Sequence, residues 1–180
     1  MEKITGFHHV GMVAHDPATL AEFYREVLGM TITGGSSADG PFGATAFLSS
    51  RPEEENHELA LFANPMFRHF AFKVASLNQL RTLHRQISER GIPIKFAMNH
   101  GCSLAFYIDD PEGNMIEIYW PTGLDNRQPH GDPLDLERSD TDLIQEVEDI
   151  ATRAGLALPP TLVAMSTREG TPPTVSAEEL

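Results

Sequence analysis

At 180 residues, 41% of them apolar, the chain has the size of one domain and the means to bury a real core. Its 26 acidic against 13 basic residues, with no Lys/Arg cluster, argue against nucleic acid or an anionic membrane as the main partner. A single cysteine, Cys102, excludes an intramolecular disulfide and a thiolate metal cluster, and it fits a reducing cytoplasm.

From the N-terminus, Met1 to Val13 lacks the basic start and unbroken apolar run of a signal peptide. No later stretch is long enough to span a bilayer, so a cytoplasmic protein is expected. Phe7 to Ala14 reads as a short apolar strand, and Asp16 is suited to cap the helix that follows. In that helix Leu20, Phe23, Tyr24, Val27 and Leu28 recur at helical spacing and predict one buried stripe, ended by Gly29. Three strand-like runs come next, Met30 to Thr33, Thr45 to Ser49 and His57 to Phe62, with a Gly/Ser-rich loop from Gly34 to Gly43.

The same succession then repeats. Arg68 to Ala75 is a strand, Ser76 a cap, Leu80, Leu83 and Ile87 a helical stripe, and Gly91 a helix end. Ile92 to Ala97, Leu104 to Ile108 and Asn114 to Trp120 are strands, the last two joined by the turn Pro111 to Asn114. A shift of 60 residues lays His9 on His69, and a shift of 59 lays Glu58 on Glu117. The pattern is βαβββ twice. One three-strand meander leaves an apolar face open, so the two copies are expected to pair. The expected fold is α+β: paired modules at 4–63 and 66–122 forming an open barrel around a metal, within a domain of residues 1–123. Residues 124–180 form a C-terminal extension: a polar linker at Asn126 to Pro133, one amphipathic helix near Ser139 to Ala154, and an irregular, flexible tail from Pro159.

Four residues in the repeat are candidate ligands: His9, Glu58, His69 and Glu117. Two imidazoles and one carboxylate on neighbouring strands make the facial triad that leaves open positions on a non-haem Fe(II). Glu117 stands among Met115, Ile116, Ile118 and Tyr119, where an unpaired buried carboxylate would be costly and a metal is a natural partner. His8, next to His9, points to the opposite face by strand alternation and is read as structural. His57 and Glu58 are likewise neighbours and cannot both face the metal on a regular strand; a bulge would be needed. Cys102 has no base beside it and reads as a packing residue. Phe7, Phe70, Phe72, Phe106 and Trp120 are read as core, with none assigned to substrate.

The run from His100 to Glu117, His-Gly-Cys-Ser-Leu-Ala-Phe-Tyr107-Ile-Asp-Asp110-Pro111-Glu-Gly113-Asn-Met-Ile-Glu117, resembles the signature of type I extradiol ring-cleavage dioxygenases of the vicinal oxygen chelate superfamily. The resemblance covers about residues 4 to 120 and is nearest to the short, single-domain members, with Met98 a departure from the usual pattern. It implies paired βαβββ modules, Fe(II) (or Mn(II)) held by His9, His69 and Glu117, and His57, His100 and Tyr107 as catalytic residues beside the metal. The implied reaction is O2-dependent opening of a catechol-type ring, dihydroxybiphenyl-like in some members, by an enzyme expected to be a homo-oligomer. His57 could take a proton from the diol, and His100 and Tyr107 could donate to substrate oxygens. Two other expectations stay open. Glu58 facing the metal would give a His/Glu/His/Glu site resembling glyoxalase I, a lyase, and loss of catalysis would leave a small-molecule binder.

Overall fold

A computed structural model describes residues 2–166. The first module runs β1 (Gly6–Val13), α1 (Pro17–Leu28), β2 (Thr31–Ser36), β3 (Thr45–Ser49) and β4 (Leu59–Phe62). After a short 3-10 turn at Pro65–Phe67, the second runs β5 (His69–Lys73), α2 (Leu77–Glu89), β6 (Phe96–Asn99), β7 (Ser103–Asp109) and β8 (Met115–Pro121). The extension adds β9 (Asp132–Pro133), α3 (Asp140–Ala154) and α4 (Pro160–Ser166). Residues 160–166, expected to be irregular, are therefore helical, with Leu162 fully buried against Leu143 and Val147 of α3. The remainder of the expected flexible tail, 167–180, lies outside the described residues.

The helix signals act as their chemistry dictates. Asp16 Oδ1 accepts from Thr19 N at 3.1 Å, Ser76 Oγ from Gln79 N at 3.1 Å, and Gly29 ends α1 at φ +69°. Two strands begin later than expected. Pro93 cannot donate to a ladder, and β6 starts only at Phe96. β4 starts at Leu59, leaving His57 and Glu58 in the preceding turn, where strict alternation does not bind them.

All nine strands form one curled, open sheet in the order β2-β3-β4-β1-β5-β8-β7-β6-β9. The modules meet where β1 pairs antiparallel with β5, His9 opposite Ala71 and Gly11 opposite His69, so a pseudo-twofold axis passes between them. Each outer face is covered by helix. Leu104, Phe106, Ile118 and Trp120 pack under α2, α3 and α4, and Ala46, Leu48 and Leu61 pack under α1. Phe106 and Trp120 are thus core, as expected, whereas Phe7 is exposed and stacks edge-on against Phe72.

The stripe on α1 is only half used. Ala21 is buried and Leu20 and Tyr24 pack inward, but Phe23, Val27 and Leu28 remain exposed, because this helix covers only the first module's short strands. In the second module α3 doubles the cover, and Leu143, Val147 and Ile150 are buried with Leu80, Leu83 and Ile87 in one core. No described helix is long and apolar enough to cross a membrane.

Candidate metal centre

Side chains on the concave face alternate with those under the helices. On β8 Met115, Glu117 and Tyr119 point inward while Ile118 and Trp120 point out, and on β7 Ala105 and Tyr107 point inward while Leu104 and Phe106 point out. This face encloses a cavity of about 400 Å³, with the buried Ala60, Ala71 and Ala105 adding little bulk to it.

At its floor His9, His69 and Glu117 converge. His9 Nε2 is 3.0 Å from His69 Nε2, and Glu117 Oε2 is 3.1 and 3.2 Å from the two nitrogens. Three donors about 2.1 Å from one ion and at right angles to each other would stand about 3.0 Å apart, so the triangle fits one face of an octahedron. Among the described residues this is the group of His, Cys, Asp and Glu side chains able to hold a metal.

The electrostatics suit ligation. Burial works against the Glu117 carboxylate, but the facing His69 and His9 imidazoles outweigh it and hold its pKa well below the usual range. Burial pushes His9 down, keeping it neutral. For His69 burial is overcome by the hydrogen bond to Glu117 and the net shift is upward, so a metal here displaces a proton from the pair. His69 Nδ1 donates to Phe67 O at 2.7 Å, which leaves Nε2 to face the site. Gly11 makes room for this ring: a Cβ there would lie 2.6 Å from His69 Nδ1.

The His57/Glu58 ambiguity resolves on the turn. His57 stacks on His9 with ring centroids 4.4 Å apart and on Phe47 at 5.0 Å, and its Nδ1 donates to Asn56 Oδ1 at 2.9 Å. Desolvation, then the adjacent His9, hold its pKa well below the ordinary value. Glu58 turns away, taking hydrogen bonds from Ser50 N at 2.7 Å and Arg51 Nη2 at 3.0 Å. The strand registers explain why it does not mirror Glu117. Ala71 pairs with Glu117 and Gly11 with Ala60, while Tyr107 pairs with Glu117 and Phe47 with Ala60. The last strands therefore superpose with a shift of 57 rather than 59, and the place of Glu117 in the first module belongs to a methyl group.

Across the cavity Tyr107 Oη lies 2.9 Å from His100 Nε2, and His100 Nδ1 donates to His130 O at 2.6 Å. Desolvation, then the Glu117 charge, push the Tyr107 phenol well up, so it stays protonated and donates. Cys102 is raised to about 12 by burial, consistent with packing rather than thiol chemistry.

Other residues around the cavity escaped sequence reasoning. Phe42, Phe47, Phe62, Phe67 and Phe96 line it, in place of the aromatic residues considered from sequence. Tyr119 also lines it, its buried hydroxyl without a hydrogen-bond partner among the described residues; its place two residues beyond Glu117 was the available signal. The supposed linker is part of the wall. Gln128 is buried, its Nε2 donating to His100 O at 2.9 Å and its carbonyl accepting from Gly35 N at 2.9 Å. His8 does not face away: the β1 register slips between Phe7 and His9, and this bulge turns His8 to the same side as His9.

A curled sheet of two βαβββ modules around a His/His/Glu cluster defines the vicinal oxygen chelate class. Residues 6–118 match the Glyoxalase/Bleomycin resistance protein/Dioxygenase superfamily, and the chain belongs to it. It is 27% identical over 122 residues, 61% of its length, to biphenyl-2,3-diol 1,2-dioxygenase 3 of Rhodococcus globerulus, 60% of which is covered. The fold is similar to 2,2',3-trihydroxybiphenyl 1,2-dioxygenase from Sphingomonas wittichii, with a TM-score of 0.55, 21% identity, and 73% of this chain against 45% of that one covered. A Mn(II)-bound glyoxalase from Novosphingobium aromaticivorans is equally close in fold, at a TM-score of 0.55, 18% identity, and 75% and 44% coverage. The chain thus spans 60% of the length of that curated relative and less than half of these two solved chains.

Proposed function

We propose that the protein is an Fe(II)-dependent extradiol dioxygenase acting on a catechol-type ring, with Mn(II) an alternative metal, His9, His69 and Glu117 as ligands, and His57, His100 and Tyr107 as catalytic residues. The observation that carries this reading is the asymmetry of the centre. Ala60 and the outward Glu58 leave three residues that would hold the metal, with His57 packed beside His9 and the His100/Tyr107 pair across the cavity. The similarity to a biphenyl-2,3-diol dioxygenase supports it, and the aromatic lining suits an aryl substrate.

A bound Fe(II) supplies a Lewis acid for the two diol oxygens and electrons for O2. The chain's own residues bind, orient and move protons. His57, held neutral and with Nδ1 engaged by Asn56, offers Nε2 as the base for a diol proton. Tyr107, kept protonated by burial, donates to negative charge on a substrate oxygen, and His100, its Nδ1 fixed by His130 O, orients the Tyr107 hydroxyl through Nε2. Phe47, Phe62 and Phe67 shed water around the ring.

The test is anaerobic loading with Fe(II), then air and a panel of catechols including 2,3-dihydroxybiphenyl, followed for the absorbance of a ring-opened product. O2 consumption matched to product supports the reading. An inert panel with turnover of a glutathione hemithioacetal under Ni(II) or Zn(II) would replace it with a lyase, and affinity without turnover with a binder.

A further inference from the structure

The two histidines of the metal centre are held from behind by different partners. His69 Nδ1 meets a neutral backbone carbonyl. His9 Nδ1 instead lies 3.2 Å from His8 Nδ1, and His8 Nε2 lies 2.5 Å from Glu55 Oε2. The other carboxylate oxygen, Glu55 Oε1, is 3.0 Å from Lys73 Nζ at the end of β5. These groups are removed from water, with the His8 and Glu55 side chains 10% and 15% exposed. They come from three separate places, the bulge of β1, the turn before β4 and the end of β5, which a chance surface contact would not align.

The roles of these atoms follow from which of them can donate, with His8 and Glu55 in ion-pair contact. A carboxylate only accepts, so His8 Nε2 carries the proton. In the neutral tautomer that presents Nε2–H to Glu55, His8 Nδ1 is an acceptor and His9 Nδ1 donates to it. His9 Nε2 is then left bare, the form that binds a metal. The bulge is what permits this, since a regular strand would aim His8 at the opposite face.

We propose that His8 and Glu55 are positioning residues that act on the metal through His9: a carboxylate–imidazole–imidazole chain that fixes the tautomer of His9 and strengthens its Nε2 as a donor. The inference rests on His9 being a metal ligand and on nothing about the reaction. Glu55 is buried, which disfavours its charge, yet the hydrogen bond from Lys73 and the neighbouring His8 hold it ionised. Donor strength at His9 consequently exceeds that at His69, whose carbonyl partner carries no charge.

The experiment measures Co(II) affinity by competition with a chromophoric chelator, together with the visible Co(II) absorption, on the metal-free full chain. Glu55→Gln, nearly isosteric, is expected to weaken affinity ~10- to 100-fold and to shift the Co(II) bands, with the melting temperature of the metal-free protein little changed. His8→Gln should do the same, and Glu55→Asp should recover part of the loss. Lys73→Met removes the anchor of the turn and one of the two groups that hold Glu55 ionised while leaving the carboxylate against His8, and is expected to cost clearly less affinity than Glu55→Gln. Unchanged affinity and bands in Glu55→Gln, or an equal loss in Lys73→Met, would overturn the relay and leave Glu55 as an anchor of the turn. His9→Ala separates the two levels: if it leaves affinity intact, the metal-centre reading fails, whereas a loss there beside a normal Glu55→Gln sinks the relay alone.

Discussion

Glu117 and Ala60 occupy the same position in the two modules, one opposite Tyr107 and the other opposite Phe47. Pseudo-symmetry therefore brings the histidines together and keeps the carboxylates apart. Glu117→Gln is expected to abolish stoichiometric metal binding, since it removes the charge on which both histidines converge. Glu58→Gln, which touches only Ser50 and Arg51, should leave metal content unchanged. Metal analysis after dialysis checks both, and metal loss in Glu58→Gln would restore a four-ligand site.

Gly11→Ala tests how tightly the His69 ring is seated. The added methyl would stand 2.6 Å from Nδ1 and 3.1 Å from Phe62, so the ring must move and strain its bond to Phe67 O. An overpacking cost of about 1–3 kcal/mol and at least tenfold weaker metal binding are expected, read by denaturant unfolding and metal titration. Wild-type values in both assays would show that the ring has room to spare.

Tyr107→Phe keeps the ring and deletes the donor to His100 Nε2. If the proposed chemistry holds, kcat falls roughly 10²- to 10³-fold while metal content stays at wild type. Steady-state kinetics beside metal analysis decides it, and an unaltered kcat would remove Tyr107 from the mechanism.

The metal-free protein carries a pH signature. His57 has a folded pKa depressed below its ordinary 6.5, chiefly by desolvation, so below pH 6.5 the unfolded chain takes up a proton that the native state refuses. Stability is highest above that value and falls as pH drops toward the folded pKa, by up to about 1.4 kcal/mol per pH unit for the group. His57→Asn should flatten the urea midpoint between pH 6.5 and 5; an unaltered slope would mean that the ring is protonated in the native state. Glu117 acts in a separate, lower window, its stabilisation present above 4.5 and lost on further acidification.

Helix α3 is structural rather than appended. Leu143 is fully buried among Leu80, Leu104 and Phe106, and Leu143→Ala should cost about 2–5 kcal/mol. A loss under 1 kcal/mol, read from chemical unfolding, would make α3 dispensable.

The periodic features were legible from sequence because they are local. Caps at Asp16 and Ser76, glycine at Gly29, and apolar spacing in α2 and α3 each report on a few neighbouring residues. The convergence of His9 and His69 was legible because a repeat turns two distant histidines into one observation, and Glu117 because a carboxylate among apolar strand residues calls for a partner. Misreadings came where backbone irregularity decides. A bulge reversed His8, the late start of β4 freed His57 from alternation, and Pro93 delayed β6. Glu55 and Gln128 were invisible because their partners lie 47 and 28 residues away, at His8 and His100, in contacts no local pattern encodes. The phenylalanines of the cavity were missed for a related reason, since hydrophobicity alone does not tell the concave face from the convex.

Gln128 touches both halves of the molecule, through its carbonyl to Gly35 and its side chain to His100. A Cβ at Gly34 would sit 2.5 Å from that same carbonyl, so the seam tolerates no bulk. One residue thus works as a rivet between the modules, and the chain length available for recombination follows from it. A chimera that exchanges only residues up to the end of β8 would inherit half a seam, whereas one cut beyond His130 would carry the cavity wall across with the residues it was shaped against.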